Sequence, residues 1–447
     1  MYRKNGWYVL TLLLLAGWLA ACQPAVIEVP KPTSAFSAEI ATSWFDLQLK
    51  LIQETPGFTP PVASRALGYS AVTLYEAVVT GMPQNQSLVG QLNELDSLPQ
   101  PEVGQAYDWA AVANSALAAS LRRLYPTATP ENLAAIEALE AQYAGQRQAE
   151  VSEPIFNRSA AYGQAVAEAV FAWSKSDGGD EGYLRNFPDT YAPPQGAGMW
   201  VATPPNYQTA LQPYWGQNRP FVVNPDEECL PLPPTAYSDD PASEFYAEGM
   251  AVYTAVNNLT PEQEQIALFW ADDPGRTFTP PGHSISIATQ VLQQEQASLA
   301  LAAEVYARMG IAISDSFISC WNTKYIYNLV RPITYIQAVI DPGWNTPDIT
   351  DPVTTPPFPE YTSGHSVQSG AAAAVLTAVF GDNYHFSDSS HMARGLPART
   401  YNSFDDFADE AAISRLYGGI HYLPAIQAGL EQGRCVGEQV NGLTWKK

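Results

Sequence analysis

Positive charge is scarce in this chain. Its 447 residues carry 22 Lys and Arg against 45 Asp and Glu, a formal net charge of −23. A surface that acidic argues against nucleic acid, and against capture of a substrate by a broad basic face. Any anion site must be a local cluster of the few cations. Cysteine is equally sparse, with Cys22, Cys229, Cys320 and Cys435 alone. Their spacing suits no zinc site. The odd number beyond Cys22 excludes a disulfide framework, although one bridge is open in an oxidising compartment and the sequence does not choose the pair. Charged residues are only 15% of the chain while hydrophobic residues are 46%, which is globular rather than disordered. Beyond the N-terminus no apolar run is long enough to span a bilayer. Alternating β-branched runs are rare, which speaks against a large sheet. The length allows two ordinary domains or one large one.

The first residues read as a targeting segment. Arg3 and Lys4 make a short positive region, and Trp7 to Ala20 is apolar but short for a transmembrane helix. It ends in Leu19-Ala20-Ala21-Cys22, which resembles a bacterial lipobox. That resemblance implies a signal peptide over 1–21, a lipidated Cys22, and a Pro- and Val-rich tether over 22–35. The expected location is outside the cytoplasm, lipid-anchored to a bacterial membrane in the periplasm or at the cell surface.

Helical periodicity dominates the rest of the chain. Helices are predicted over Ser37–Glu54, Pro61–Val79, Tyr107–Leu124, Pro130–Ala144, Ala160–Ser174, Ser243–Val256 and Pro261–Ala271. A long one is predicted from Ser284 to Met309, then others near Asp315–Val330, Gly364–Phe380, Phe404–Tyr417 and Leu423–Leu443. Asp177 to Ala242 is dense in Pro, Gly, Tyr and Trp, and reads as an irregular excursion serving as a lid, a wall of a site or a decoration. A second Pro-rich loop, Asp341 to Glu360, delivers the chain to Tyr361-Thr362-Ser363-Gly364-His365. The expectation is an all-α protein with its helices packed as bundles. A single domain over 36–447 would comprise an N-terminal half, 36–260, and a C-terminal half, 261–447.

Three short elements in the C-terminal half carry chemistry. Lys324 and Arg331 are seven residues apart, which on a helix points two cations the same way. Pro332 disfavours helix at Arg331, so the helix should end there, with Arg331 at the turn. A second Arg-Pro, Arg219-Pro220, has Gln212 where a Lys would stand. In the second element Ser363 suits an N-cap, Gly364 admits close backbone approach, and His365 lies in a first helical turn. Such a turn offers free N–H groups and the positive end of a dipole to an anion. In the third, Arg415 lies in the last turn of a helix and His421 just beyond Gly418-Gly419. Singly, each element also suits a plain structural role as surface cation, cap or core residue.

The ordered set Lys-x6-Arg-Pro, Ser-Gly-His and Arg-x5-His resembles the signature of vanadium-dependent haloperoxidases and the type-2 phosphatidic acid phosphatase superfamily. Trp270–Arg276, Thr279–His283 and Pro356–Glu360 resemble bacterial members as well. The resemblance implies a helical-bundle fold and a pocket for vanadate, or for phosphate, which is a tetrahedral oxyanion of similar size. It implies that Lys324, Arg331, Ser363, Gly364 and Arg415 hold the oxygens and that His421 bonds the metal. His365 would be the acid–base group, and Lys324 would also polarise peroxide. Trp321, Phe358, Asp273 and His283 are expected around that set, with Asp273 or Asp272 orienting a pocket arginine. His283 is expected to line the pocket. His385 and His391 are expected in a solvent-exposed loop.

The implied partners are hydrogen peroxide and a halide, with organic halogen acceptors possible. The run Phe358 to Gly370 looks closest to marine bacterial iodoperoxidases, which favours iodide, then bromide. Two alternatives stand beside this: an exported phosphatase acting on small phosphoesters, in which His421 attacks phosphorus, and an anion-capturing lipoprotein without turnover. The length of the chain and the Trp321-x2-Lys324 pair resemble haloperoxidases rather than the short soluble phosphatases.

Overall fold

The computed structural model describes residues 31–346 and 353–447. The export segment 1–21 and Cys22 lie outside the described residues, as does most of the expected tether. Its end is packed. Thr33 is fully buried and donates through Oγ1 to the Val78 carbonyl at 2.9 Å.

The described residues form thirteen α-helices. The first five are α1 (Glu39–Glu54), α2 (Pro60–Val78), α3 (Trp109–Leu124), α4 (Pro130–Gln148) and α5 (Glu153–Ser174). Pro at the first or second position of α2, α4 and α5 sets φ where no N–H is needed. Next come α6 (Glu244–Asn257), α7 (Pro261–Phe269), α8 (Thr279–Gln294) and α9 (Leu299–Tyr327). The last four are α10 (Pro332–Val339), α11 (Gly364–Phe380), α12 (Phe404–Tyr417) and α13 (Leu423–Asn441). Two helical groups share α9. On one side it packs against α2, which contacts α3 and α5; on the other it packs against α11 and α13. Of the 29 residues of α9, 22 are buried, which suits its apolar sequence.

The sequence misplaced one break. In place of helices over 284–309 and 315–330, the chain breaks at 295–298. Gln296 is left-handed there, with φ of 49°, and Ser298 caps α9 by accepting from the Leu301 N–H. Gly310 continues the helix because α2 crosses it closely. A Cβ at Gly310 would lie 2.6 Å from Ala71 Cβ. The helix α10 was missed, as was a hairpin of β1 (Phe386–Asp388) and β2 (Arg399–Tyr401). Strands of three residues give too little alternation to read.

The site is positioned by the packing of α13 on α11. Gly429, Gly433 and Gly437 form a stripe on α13. A Cβ on Gly433 would sit 2.0 Å from the Val367 carbonyl oxygen, and one on Gly429 would sit 3.0 Å from that of Ser363. Only bare backbone lets α13 lie this close to the first turns of α11. A bridge between Cys229 and Cys435 ties the irregular excursion to α13, leaving Cys320 as a buried free thiol. Among the described residues, no helix is long and apolar enough to cross a membrane.

Candidate active site

A cavity of about 470 Å³ opens where α9, the first turn of α11 and the end of α12 converge. Gly364, His365, Arg415 and His421 line its depth, with Trp321 and Phe358 beside them. The irregular excursion supplies an outer wall through Phe187, Thr203, Pro204, Pro205 and Leu211. The 177–242 segment thus forms one wall of the site.

Lys324 and Arg331 meet by a different route from that predicted. The helix α9 ends at Tyr327, and Asn328 terminates it in the left-handed region with φ of 48°. Arg331 is extended, at the N-cap position of α10. The turn, rather than a shared helical face, brings the guanidinium back. Both side chains are fully buried. Lys324 Nζ donates to the carbonyls of Pro359 and Glu360 at 3.0 Å each and to that of Thr362. Its three protons therefore clamp the loop that delivers Ser363. Burial pushes the Lys324 pKa down to about 8, with Arg331 nearby adding to the shift.

Arg331 donates from Nε to the Phe358 carbonyl at 2.9 Å and from Nη1 to the Ile420 carbonyl at 2.8 Å. Nη1 also lies 3.1 Å from His421 Nε2. Its Nη2 is buried without a protein partner. The Phe358 ring sits between the cations, its centroid 5.0 Å from Lys324 Nζ and 4.9 Å from Arg331 Cζ. Trp321 packs on that ring and donates from Nε1 to the Leu211 carbonyl.

His421 is defined on both ring nitrogens. Guanidinium only donates, so Nε2 is the nitrogen carrying the lone pair. Nδ1 then bears the proton and donates to Glu360 Oε1 at 2.8 Å. Burial, with Arg331 and Lys324 adding to it, holds the His421 pKa well below the ordinary imidazole value. Sequence reading did not single out Glu360. The available signal was its isolation, as the one acid in the stretch from Thr354 to Gln368.

Ser363 is buried, and its Oγ accepts from the Ser366 N–H, which starts α11 as expected of an N-cap. The N–H groups of Gly364 and His365 belong to the first turn and have no intrahelical acceptor. His365 Nε2 is buried without a partner. Burial, then the Arg415 charge, holds His365 well below the ordinary imidazole pKa, so the ring is neutral at neutral pH. Arg415 donates from Nε to Ser414 Oγ at 2.9 Å. Its pKa falls to about 10 through burial, against the pull of Asp272 and Asp273. Asp273 lines the cavity.

Two histidines differ from expectation. His283 does not line the cavity; it is fully buried behind the wall. Its Nδ1 bonds Asp272 Oδ2 and its Nε2 bonds Asp388 Oδ2, both at 2.8 Å. His391 is buried rather than solvent-exposed. The hairpin folds it inward, where Nε2 bonds Asp272 Oδ1 at 2.9 Å and its ring stacks on Phe278. His385 is exposed. Asp272, His283 and His391 bring ligand-type atoms within 4.8 Å of one another. Asp272 and Asp388 outweigh the burial of His283 and lift its pKa to about 10. Both ring nitrogens of His283 face carboxylate oxygens, and Asp272 is shared with His391, so the group is joined as a buried ion cluster.

The cavity lining offers Arg415, the N-terminus of α11 and an imidazole nitrogen with a lone pair. Lys324, Arg331 and Ser363 are buried outside that lining, with Arg331 Nη1 against His421 and its Nη2 unpartnered. Together they are the donor set that a tetrahedral oxyanion needs. Vanadate fits these residues on that chemistry.

Residues 304–445 match the family model described as the VCPO second helical-bundle domain. The chain is similar to the crystal structure of a bacterial vanadium-dependent iodoperoxidase, with 38% identity and a TM-score of 0.82, covering 92% of this chain and 98% of that one. It is also similar to holo-type bacterial vanadium-dependent chloroperoxidase, at 16% identity and a TM-score of 0.62, covering 89% and 91% respectively. The apo-type chloroperoxidase structure gives 15% identity and a TM-score of 0.59 over 94% and 96%. These last two show the fold alone. No curated protein sequence matches.

Proposed function

Because the chain belongs to the vanadium-dependent haloperoxidase family, a family of enzymes, we propose that it oxidises iodide with hydrogen peroxide, using vanadate held in the cavity. One observation carries the reading. The buried Arg331 Nη2, beside His421, and the buried His365 Nε2 are nitrogens that the protein leaves without a partner. Iodide is favoured over bromide by the likeness to the iodoperoxidase at 38% identity.

In this reading His421 would hold vanadium through Nε2, the ring nitrogen that carries the lone pair. Arg331 and Arg415 neutralise the oxygens, and Gly364 N–H and Ser363 Oγ complete the cradle. Lys324 adds charge through space and fixes the 359–362 backbone. Bound vanadate supplies a Lewis-acidic centre, in its highest oxidation state, that activates peroxide. Neutral His365 would accept a proton from incoming peroxide at Nε2 and hold it for return to the product. Overall, iodide and hydrogen peroxide give hypoiodous acid and hydroxide. Organic acceptors of the oxidised halogen reach the cavity along the apolar wall formed by Phe187, Pro204, Pro205 and Leu211. Export with a lipid on Cys22 completes the proposal. The Cys229–Cys435 bridge suits an oxidising compartment.

The test is triiodide formation from iodide and peroxide at neutral pH, before and after vanadate loading. Vanadate-dependent turnover is expected. Absence of turnover after loading, together with ready hydrolysis of p-nitrophenyl phosphate, would reverse the assignment. Mass spectrometry of membrane-fraction protein tests the lipid on Cys22, and its absence refutes the anchor.

A further inference from the structure

Glu360 joins several parts of the site. Its Oε1 accepts from His421 Nδ1 at 2.8 Å and from the Tyr422 N–H at 2.9 Å. Its carbonyl accepts from Lys324 Nζ at 3.0 Å, and its own N–H donates to the Leu329 carbonyl at 3.0 Å. The side chain is fully buried, and Oε2 has no protein partner. A carboxylate with a spare oxygen, sealed from water, is costly unless it serves nearby charge. Here it faces His421 on the side away from the cavity.

We propose that Glu360 is the positioning residue for His421: it fixes the ring with Nε2 toward the cavity and makes that nitrogen a stronger ligand. A carboxylate accepting from Nδ1–H pushes electron density to Nε2, as an acid does behind a metal-bound histidine. The contact with the Tyr422 N–H holds the carboxylate at a set angle, so the ring does not rotate freely. The inference rests on the reading of His421 as the vanadium ligand.

Two inorganic anions separate this role from simple electrostatics and from folding. Glu360→Gln keeps the size and an oxygen that accepts from Nδ1 and Tyr422, but it removes the charge. Removing a negative charge beside an anion site should leave phosphate binding unchanged or tighter. Vanadate binding, which also uses the bond to His421, should weaken by about 10–100-fold. Calorimetry with vanadate and with inorganic phosphate, on wild type, Glu360→Gln and His421→Ala, reads both. His421→Ala should bring the two anions to similar affinity. Vanadate affinity within twofold of wild type in Glu360→Gln overturns the proposal. Equal weakening of both anions also overturns it, since that marks a merely structural role. If wild type binds vanadate no more tightly than phosphate, the ligand role of His421 fails, and with it the function on which this inference stands.

Discussion

Arg331 Nη1 lies 3.1 Å from His421 Nε2, so a permanent donor faces the nitrogen proposed to bond vanadium. The same guanidinium is pinned by the Phe358 and Ile420 carbonyls and leaves Nη2 for a ligand. Lysine would keep the charge but not the fork. Charged hydrogen bonds are worth about 1.5–3 kcal/mol. Arg331→Lys is therefore expected to weaken vanadate binding by about 10–100-fold at that energy. Equilibrium dialysis measures it, and an unchanged dissociation constant would remove Arg331 from the cradle.

His365 and His421 should separate in function. His421→Ala is expected to lose tight vanadate binding. His365→Ala should keep vanadate, because no vanadium bond is lost, while turnover falls by about 100- to 10,000-fold, as for removal of a general acid–base group. Dialysis and iodide-oxidation rates on the same preparations distinguish them. Loss of vanadate from both variants alike would contradict the division of roles.

The depressed Lys324 pKa gives a pH limb. The ammonium, held at about 8 by burial, is charged below that pH and neutral above it. Vanadate affinity should therefore fall as pH rises through about 8. Vanadate titrates in its own right, so the comparison is with Lys324→Arg, which stays charged. The ratio of the two affinities should drift toward the Arg variant above pH 8. A pH-independent ratio would show that Lys324 titrates elsewhere.

The site was more legible in the sequence than the way it is built. Ser363, Arg415 and His421 converge because a cap and a Gly-Gly helix end are local signals that the structure keeps. Lys324 and Arg331 also converge, but through a turn at Asn328 that heptad spacing does not encode. Glu360, His283 and His391 gain their partners across long sequence separations: His391 bonds an acid 119 positions away. No periodicity records such contacts. The glycine stripe on α13 was likewise invisible, because its meaning lies in the carbonyls of another helix.

The buried cluster predicts a stability profile. Asp272 is held well below its ordinary pKa: burial alone would raise it, but His283 and His391 reverse that shift. Its contribution is present above about pH 4 and lost on acidification. His283 is raised from 6.5 to about 10, so its contribution is complete below 6.5 and is lost as pH rises toward 10. Wild-type melting temperature should therefore decline between pH 6.5 and 10. His283→Gln should start lower, since breaking a buried pair costs about 3–5 kcal/mol, and should flatten over the same range. Parallel melting curves for the two proteins would show that His283 is not the charged centre of the cluster.

Gly433 tests the packing that carries the cradle. A Cβ there would lie 2.0 Å from the Val367 carbonyl oxygen, 2.8 Å from its carbon and 2.9 Å from the Ala371 nitrogen. All three are backbone atoms of α11, so no rotamer change relieves the contact. Gly433→Ala must push α13 away from α11, at a cost of about 1–3 kcal/mol by overpacking. The shift also moves Ser363, whose N–H bonds the Ala425 carbonyl near the start of α13. The expected result is a lowered melting temperature together with weaker vanadate binding by the folded protein. Gly442→Ala, at the far end of α13 and 3.2 Å from the Gln439 carbonyl oxygen, should leave vanadate binding unaltered. Equal effects of the two substitutions on binding would mean that the α11–α13 contact does not set the cradle.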